Sequence, residues 1–202
     1  AVIGAGAMGC LFGAKLNQLP KNNVLLVDTW EEHVLKINAE GLHIDSEDGV
    51  QRIAVKAALA TDALEPVDLV IIFTKSHHTR TALEGVQGLF KADTLALTLQ
   101  NGLGNAEKLA RYVPMEQIVV GTTTFPSDIV GPGRIRTEGG GNTRMLSADG
   151  VRRPQTDAIA DMFDQAGLNC AVINDIYVSI WEKVAFIAAV NSLCAISRLP
   201  VG

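Results

Sequence analysis

Val2-Ile3-Gly4-Ala5-Gly6-Ala7-Met8-Gly9 is the stretch on which the fold turns. It sets a G-x-G-x-x-G between an apolar, β-branched start and a helix-period segment that runs from about Ala7 to Leu19, just ahead of Pro20. In that setting the glycines let the backbone turn tightly and approach a pyrophosphate at the helix N-terminus, where Ala7 and Met8 lie. Gly13, one turn on, suits close helix-to-sheet packing. Glycines at a strand-to-helix turn also occur without a ligand, so the next segment decides. Val24 to Asp28 reads as a second strand, its unbroken Val-Leu-Leu-Val suited to a strand covered on both faces, and it ends in an acid 19 residues past Gly9. A carboxylate there accepts from adenosine ribose hydroxyls and repels the 2′-phosphate of NADP; no Lys or Arg stands beside it. NADH is therefore the favoured form of an NAD(P)H cofactor, NADPH staying open through basic residues on other loops. As the plainer alternative, Asp28 is a solvated residue at a strand end.

Working outward, strand-like and helix-like segments alternate, the signature of βαβ units. Thr29-x-x-Glu32 has capping-box spacing ahead of a second helix ending near Gly41. Leu42–Ser46 and Arg52–Lys56, separated by Glu47-Asp48-Gly49, read as a hairpin that departs from strict βαβ. Val67–Thr74 is the clearest buried strand, followed by a helix over about 77–90, a strand over 94–99 and a helix over 103–112. From Ile118 to Leu146 the Thr- and Gly-rich sequence predicts short strands joined by tight turns, and then come a helix over about 152–166 and a strand over 169–173. From Asp175 to about Arg198 neither Gly nor Pro interrupts one helix-compatible stretch, apolar around much of its circumference, as in a helix buried among others. The expected fold is α/β: a Rossmann-like dinucleotide-binding domain over 1–174, then the first helix, 175–202, of an all-α C-terminal domain whose remainder is absent.

Composition narrows the function classes. In 202 residues, 48% hydrophobic, the net charge is −5 with the basic residues scattered, so there is no footprint for nucleic acid or an anionic membrane surface. Cys10, Cys170 and Cys194 fit neither a disulfide framework nor a zinc spacing, so no metal site is expected and a reducing, cytoplasmic compartment is. No signal peptide is legible, and no apolar run is read as reaching the roughly 18 residues of a membrane span. Ala1 already lies in the first strand and Gly202 arrives as the last helical pattern finishes, so residues are expected to be missing at both ends.

Reduction of a ketone requires a hydride donor and a proton donor at the carbonyl oxygen. Thr74 and Lys75 end the most hydrophobic strand, on the edge where ligands gather, although a lysine there is inert in many folds. Asn101, in Gln100-Asn101-Gly102-Leu103-Gly104-Asn105, follows the next strand and is placed to bond a nicotinamide, ribose or substrate; Asn-Gly is also plain turn chemistry. His77 and His78 read as capping or packing residues. Lys183 lies in an otherwise apolar helix, where an unpaired ammonium is costly; it either faces a polar cleft with a lowered pKa, suited to proton donation, or extends its stem to solvent. Asn191, eight residues on, falls close to the same helix face.

Five ordered motifs, Gly4-x-Gly6-x-x-Gly9, Lys75, Asn101-Gly102, Gly121-Thr122-Thr123-Thr124 and Trp181-x-Lys183 with Asn191-Ser192-Leu193-Cys194-Ala195-Ile196, resemble the ketopantoate reductase (2-dehydropantoate 2-reductase) family over the whole chain. The resemblance implies a Rossmann-like domain followed by a helical domain with the active site in the cleft between them. It implies that Lys183 protonates the forming alkoxide, that Asn101 and Lys75 place cofactor and substrate, and that Asn191 binds substrate. The implied reaction is NAD(P)H-dependent reduction of ketopantoate to pantoate, with a homodimer through the helical domain as a further expectation. Three features depart from the family pattern. A second asparagine one turn after the lysine is replaced by Ile187, an acidic substrate contact would lie beyond Gly202, and Asp28 stands where NADP-preferring members carry a base. Ile187 leaves room for another 2-keto acid or a 3-hydroxy acid. A non-catalytic dinucleotide sensor is the third alternative, against which Lys75 and Lys183 both speak. By this reading the 202 residues alone lack half the cleft and are inactive.

Overall fold

A computed structural model describes residues 1–62 and 64–199; the expected chain end at Gly202 and the last three residues of the 175–202 unit lie outside the described residues. The strands are β1 (Val2–Ile3), β2 (Leu25–Asp28), β3 (Leu42–Ser46), β4 (Gly49–Ile53), β5 (Lys56–Leu59), β6 (Leu69–Ile72), β7 (Leu95–Thr98), β8 (Ile118–Thr123), β9 (Asp128–Gly131), β10 (Arg134–Arg136), β11 (Thr143–Ser147) and β12 (Cys170–Val172). The helices are α1 (Ala7–Asn17), α2 (Glu31–Glu40), α3 (Thr79–Gly85), α4 (Asn105–Leu109), α5 (Pro154–Gln165) and α6 (Ile176–Ser197).

Eight strands form the main sheet in the order β12-β11-β8-β7-β6-β1-β2-β5. The six strands from β8 to β5 run parallel, whereas β11 pairs antiparallel with β8 and β12 lies parallel to β11, so these two edge strands run the opposite way. Both β2 and β6 pair with β1, so the chain reverses direction across the sheet there, and the crevice outside the C-terminal ends of these strands is the ligand position in such folds. The strands are apolar without a break because alternate residues serve two layers. Leu26, Ile71, Leu97 and Val119 pack with α1 and α5, whereas Val27, Val70, Ile72, Ala96 and Ile118 pack on the opposite face with Leu83, Leu89 and Leu109. Phe12 of α1 anchors the first layer, its ring within 6 Å of those of Phe73, Phe125 and Phe163. The Rossmann-like α/β architecture expected from the glycine motif is present.

Several boundaries differ from the sequence reading. The hairpin is real, but its second strand is Gly49–Ile53, with Glu47 and Asp48 as the turn; Lys56 instead begins β5, which pairs with β2 at the edge of the main sheet. Asn38 of α2 draws that strand in by bonding both the N–H and the C=O of Ala57. The Thr29/Glu32 capping box does not form. Asp28 Oδ1 accepts from the N–H groups of Thr29 and Trp30, and α2 opens with Trp30 as its N-cap. The helix expected over 77–90 is α3 plus a 3-10 turn at Gln87–Leu89, and the one expected over 103–112 is cut to Asn105–Leu109 by Gly104 at φ +76°. The stretch from 118 to 146 does form turn-linked strands, split between two sheets; β9 and β10 join β3 and β4 in a second sheet, order β4-β3-β10-β9.

One expectation about the last segment is corrected. At 22 residues, α6 is long and apolar enough to cross a membrane by length and composition, contrary to the reading that no stretch qualifies. The helix is also largely exposed: Ile176 is buried, while Trp181, Phe186, Leu193 and Ile196 face out.

Candidate active site

The glycine loop is shaped by close approaches that no side chain would survive. Gly4 has φ +89°, donates its N–H to Val27 O at 2.8 Å, and lies so near the β6 end that a Cβ would fall 2.7 Å from Thr74 N. At Gly9 a Cβ would meet Gly4 O at 2.0 Å. Gly6 is the opposite case: nothing stands within 4 Å of its would-be Cβ, and as the N-cap of α1 it makes no side-chain cap bond. The first-turn N–H groups of Ala7, Met8 and Gly9 therefore lack intrahelical partners, and partly exposed Ala7 and Met8 stand beside the open side of Gly6 with the positive end of the helix dipole behind them. These residues fit the pyrophosphate of a dinucleotide.

At the end of β2 the two N–H bonds to Oδ1, at 2.8 and 3.0 Å, orient the Asp28 carboxylate. Glu31 and Glu32, both exposed, add negative charge in the first turn of α2. Trp30 stacks on His33, with ring centroids 5.0 Å apart and an interplanar angle of 11°. His33 is buried. Its Nδ1 accepts from Gly133 N–H at 3.0 Å and its Nε2 lies 3.4 Å from Cys10 Sγ, whose thiol donates to Ala5 O. Burial lowers the His33 pKa and pushes the Cys10 thiol up to about 12, so both are neutral at pH 7. This network ties the second sheet to the start of α1. Sequence reasoning missed it, because a histidine beside two glutamates carries no signal of burial.

The loops after β6 and β7 meet through Gln100, another residue the sequence did not single out. Its amide donates to Thr74 O at 2.5 Å and to Thr79 Oγ1 at 2.9 Å. Buried Asn105 supports the backbone of Gln100, Asn101 and Gly102 through long bonds of 3.4 Å. Lys75, His77 and His78 are exposed, the two imidazole rings 4.1 Å apart, and no His, Cys, Asp and Glu cluster of metal-binding form occurs among the described residues.

Lys183 projects from α6 onto the C-terminal edge of β8, where its ammonium donates to Thr123 O at 2.5 Å. It is half-buried, and desolvation lowers its pKa. Gly121 lets β8 come this close to its neighbours, since a Cβ there would fall 2.3 Å from Arg144 O. Lys183 and Asn101 line one small pocket together with Gly102, Gly121, Thr122 and Ile180. A larger cleft of about 580 Å³ adjoins it, lined by Thr122, Thr123, Phe125, Arg144, Ser179, Lys183, Phe186 and Ile187. The structure thus brings Asn101 and Lys183 together, and sets the glycine loop, Asp28 and Thr74 along one sheet edge. Asn191 is exposed two turns beyond Lys183 on α6, and neither it nor Lys75 lines these cavities. Arg144 and Ser179 are cleft residues that sequence reasoning passed over.

The chain is similar in sequence and fold to several known proteins. The structure of D-mandelate dehydrogenase in ternary complex with NADH and anilino(oxo)acetate superposes with a TM-score of 0.92 at 33% identity, covering 98% of this chain and 64% of that one. The 2-dehydropantoate 2-reductase of Geobacter metallireducens gives 0.88 at 32%, covering 98% and 66%. In sequence, the 2-dehydropantoate 2-reductase of Streptococcus pyogenes is 32% identical over 203 aligned positions, and the chain spans 65% of that relative's length. Residues 1–150 match the family model described as ketopantoate reductase PanE/ApbA. The chain belongs to the ketopantoate reductase family.

Proposed function

We propose that this chain is the nucleotide-binding part of an NAD(P)H-dependent reductase that converts 2-dehydropantoate to pantoate, the step that serves pantothenate and coenzyme A synthesis. The observation that carries the reading is Lys183: a desolvated ammonium held against Thr123 O in a pocket it shares with Asn101. The reduced nicotinamide supplies the hydride when bound. Lys183 donates the proton to the oxygen of the reacting ketone, its lowered pKa making transfer easier near neutral pH. Asn101 orients cofactor and substrate, Asn191 and Lys75 assist in binding, and the glycine loop with Ala7, Met8, Asp28 and Thr74 holds the dinucleotide. Residues 175–202 open a helical unit that completes the cleft, and a homodimer built through further helices and a cytoplasmic site belong to the same proposal.

NADH is the favoured cofactor. Asp28, Glu31 and Glu32 place like charge where a 2′-phosphate would sit. The NADH complex of D-mandelate dehydrogenase is a relative consistent with that preference. A second substrate reading is favoured by Ile187, which lines the cleft beside Phe186 in place of a polar group. That apolar wall suits a 2-keto acid with a hydrophobic side chain, as does the likeness to a mandelate dehydrogenase.

Steady-state oxidation of NADH and of NADPH by the full-length protein, with 2-dehydropantoate and with phenylglyoxylate as acceptors, tests both points. Preference for NADH and 2-dehydropantoate is the expected result. Preference for NADPH would overturn the role given to Asp28, and turnover of phenylglyoxylate alone would move the substrate to the second reading.

A further inference from the structure

Resting on the reductase reading above, we infer that the Arg144 guanidinium holds the substrate carboxylate and so restricts the cleft to 2-keto acids. Lys183 is committed to the ketone oxygen, so the acid group of such a substrate needs a different cationic partner inside the cleft. Arg144 lies on β11 directly across from Thr122 in the antiparallel register with β8, beside the Thr123 carbonyl that holds Lys183. Its Nη1 donates to Ser179 Oγ at 3.4 Å, and Ser179 precedes Lys183 by one helical turn on the same face of α6.

Side chains so spaced stand about 5–6 Å apart at Cβ. Guanidinium and ammonium therefore line one cleft, the first held at Ser179 and the second one helical turn on, so a substrate whose ketone meets Lys183 has a cation nearby for its acid group. Among the described residues the ion-paired arginines are Arg80, Arg134, Arg152 and Arg153, which leaves the Arg144 fork open for a bidentate carboxylate. Glu182 also lines the cleft, yet forms no ion pair with Arg144. Phe186 and Ile187 form the apolar wall against which the rest of the substrate would lie.

The test compares the full-length wild type with Arg144→Gln and Arg144→Lys, using a 2-keto acid and its methyl ester. Arg144→Gln is expected to raise KM for the acid by about ten- to a hundredfold, the loss typical of a charge-assisted bond. KM for NADH and kcat stay within about threefold, the range of an indirect effect. Arg144→Lys restores part of the acid's binding, because it keeps the charge and loses the fork. The ester, which carries no negative charge, is turned over equally by wild type and Arg144→Gln.

An unchanged KM for the acid, or an equal loss for acid and ester, overturns the assignment while the reductase reading stands. A wild type that oxidises neither NADH nor NADPH with any 2-keto acid overturns that reading and this assignment with it. Measured NADH affinity shows whether each variant is folded.

Discussion

Lys183 faces two opposing demands at the level of a single residue. An ammonium in a half-buried position loses hydration, and its bond to Thr123 O returns only part of what water supplied. The folded protein therefore releases this proton at a lower pH than the unfolded chain. Between the lowered pKa and the ordinary lysine value the unfolded state binds more protons, so stability rises with pH across that window; below it, the full penalty applies. Lys183→Met is thus expected to raise the thermal midpoint at pH 7 while lowering kcat by about 10²- to 10⁴-fold, the usual worth of a general acid. NADH affinity should not change. In the wild type, the rate of ketone reduction falls as pH rises through the Lys183 pKa, and that fall disappears in the variant. Thermal unfolding, nucleotide titration and a pH–rate profile check the three parts; turnover intact in Lys183→Met would remove the catalytic role. Lys183 was legible in the sequence because a lone cation in an apolar helix needs a reason. Arg144 was not, because on a short strand beside Thr143 nothing marks which arginine faces a cleft.

Elements rather than residues decide what each glycine of the loop does. Gly9 sits where α1 meets the Gly4 carbonyl, and a methyl group there would force the helix off the strand. Gly6 borders open space with an ordinary φ of −67°, so its missing side chain serves only whatever approaches α1 from outside. Gly6→Ala should then leave the unfolding midpoint nearly unchanged while weakening NADH about tenfold or more, as lost backbone-to-phosphate bonds would. Gly9→Ala should lose both stability and binding. Differential scanning fluorimetry with and without NADH separates the two; equal behaviour of the variants would sink the division of labour. The strands and α1 could be read from sequence because their apolar periodicity reports burial directly. The start of α2 could not, since Thr29-x-x-Glu32 and Asp28 offered rival caps and the Asp28 carboxylate, oriented by the end of β2, took the N–H groups. The fate of β5 was hidden for a similar reason: its pairing depends on Asn38, a contact across the α2–β5 interface that no local pattern encodes.

Across the whole molecule, the packed layers close on both faces of the main sheet without α6 beyond its first turns. Ile176 is buried in the second layer, Ile180 packs partly against it, and the Tyr177 hydroxyl donates to Ala148 O at 2.5 Å. Past Ile180 the helix contributes Lys183 and the cleft wall, but little core, and its apolar residues face outward. The packed layers therefore lie within residues 1–180, and under the proposed function so does nucleotide binding, with proton donation left to the remainder of α6. A polypeptide of residues 1–180 is expected to unfold in one cooperative transition, because the anchoring turn is kept, with the buried Ile176 worth about 1.5–3 kcal/mol. It should bind NADH within a few-fold of the whole protein, since the glycine loop, Asp28 and Thr74 are intact and rest on the sheet edge rather than on α6. It should reduce no keto acid, having lost Lys183. Calorimetric unfolding and NADH titration of this polypeptide decide the matter. Loss of cooperativity or of NADH binding would mean that α6 is part of the nucleotide-binding core, and the proposed boundary at residue 175 would have to move beyond it.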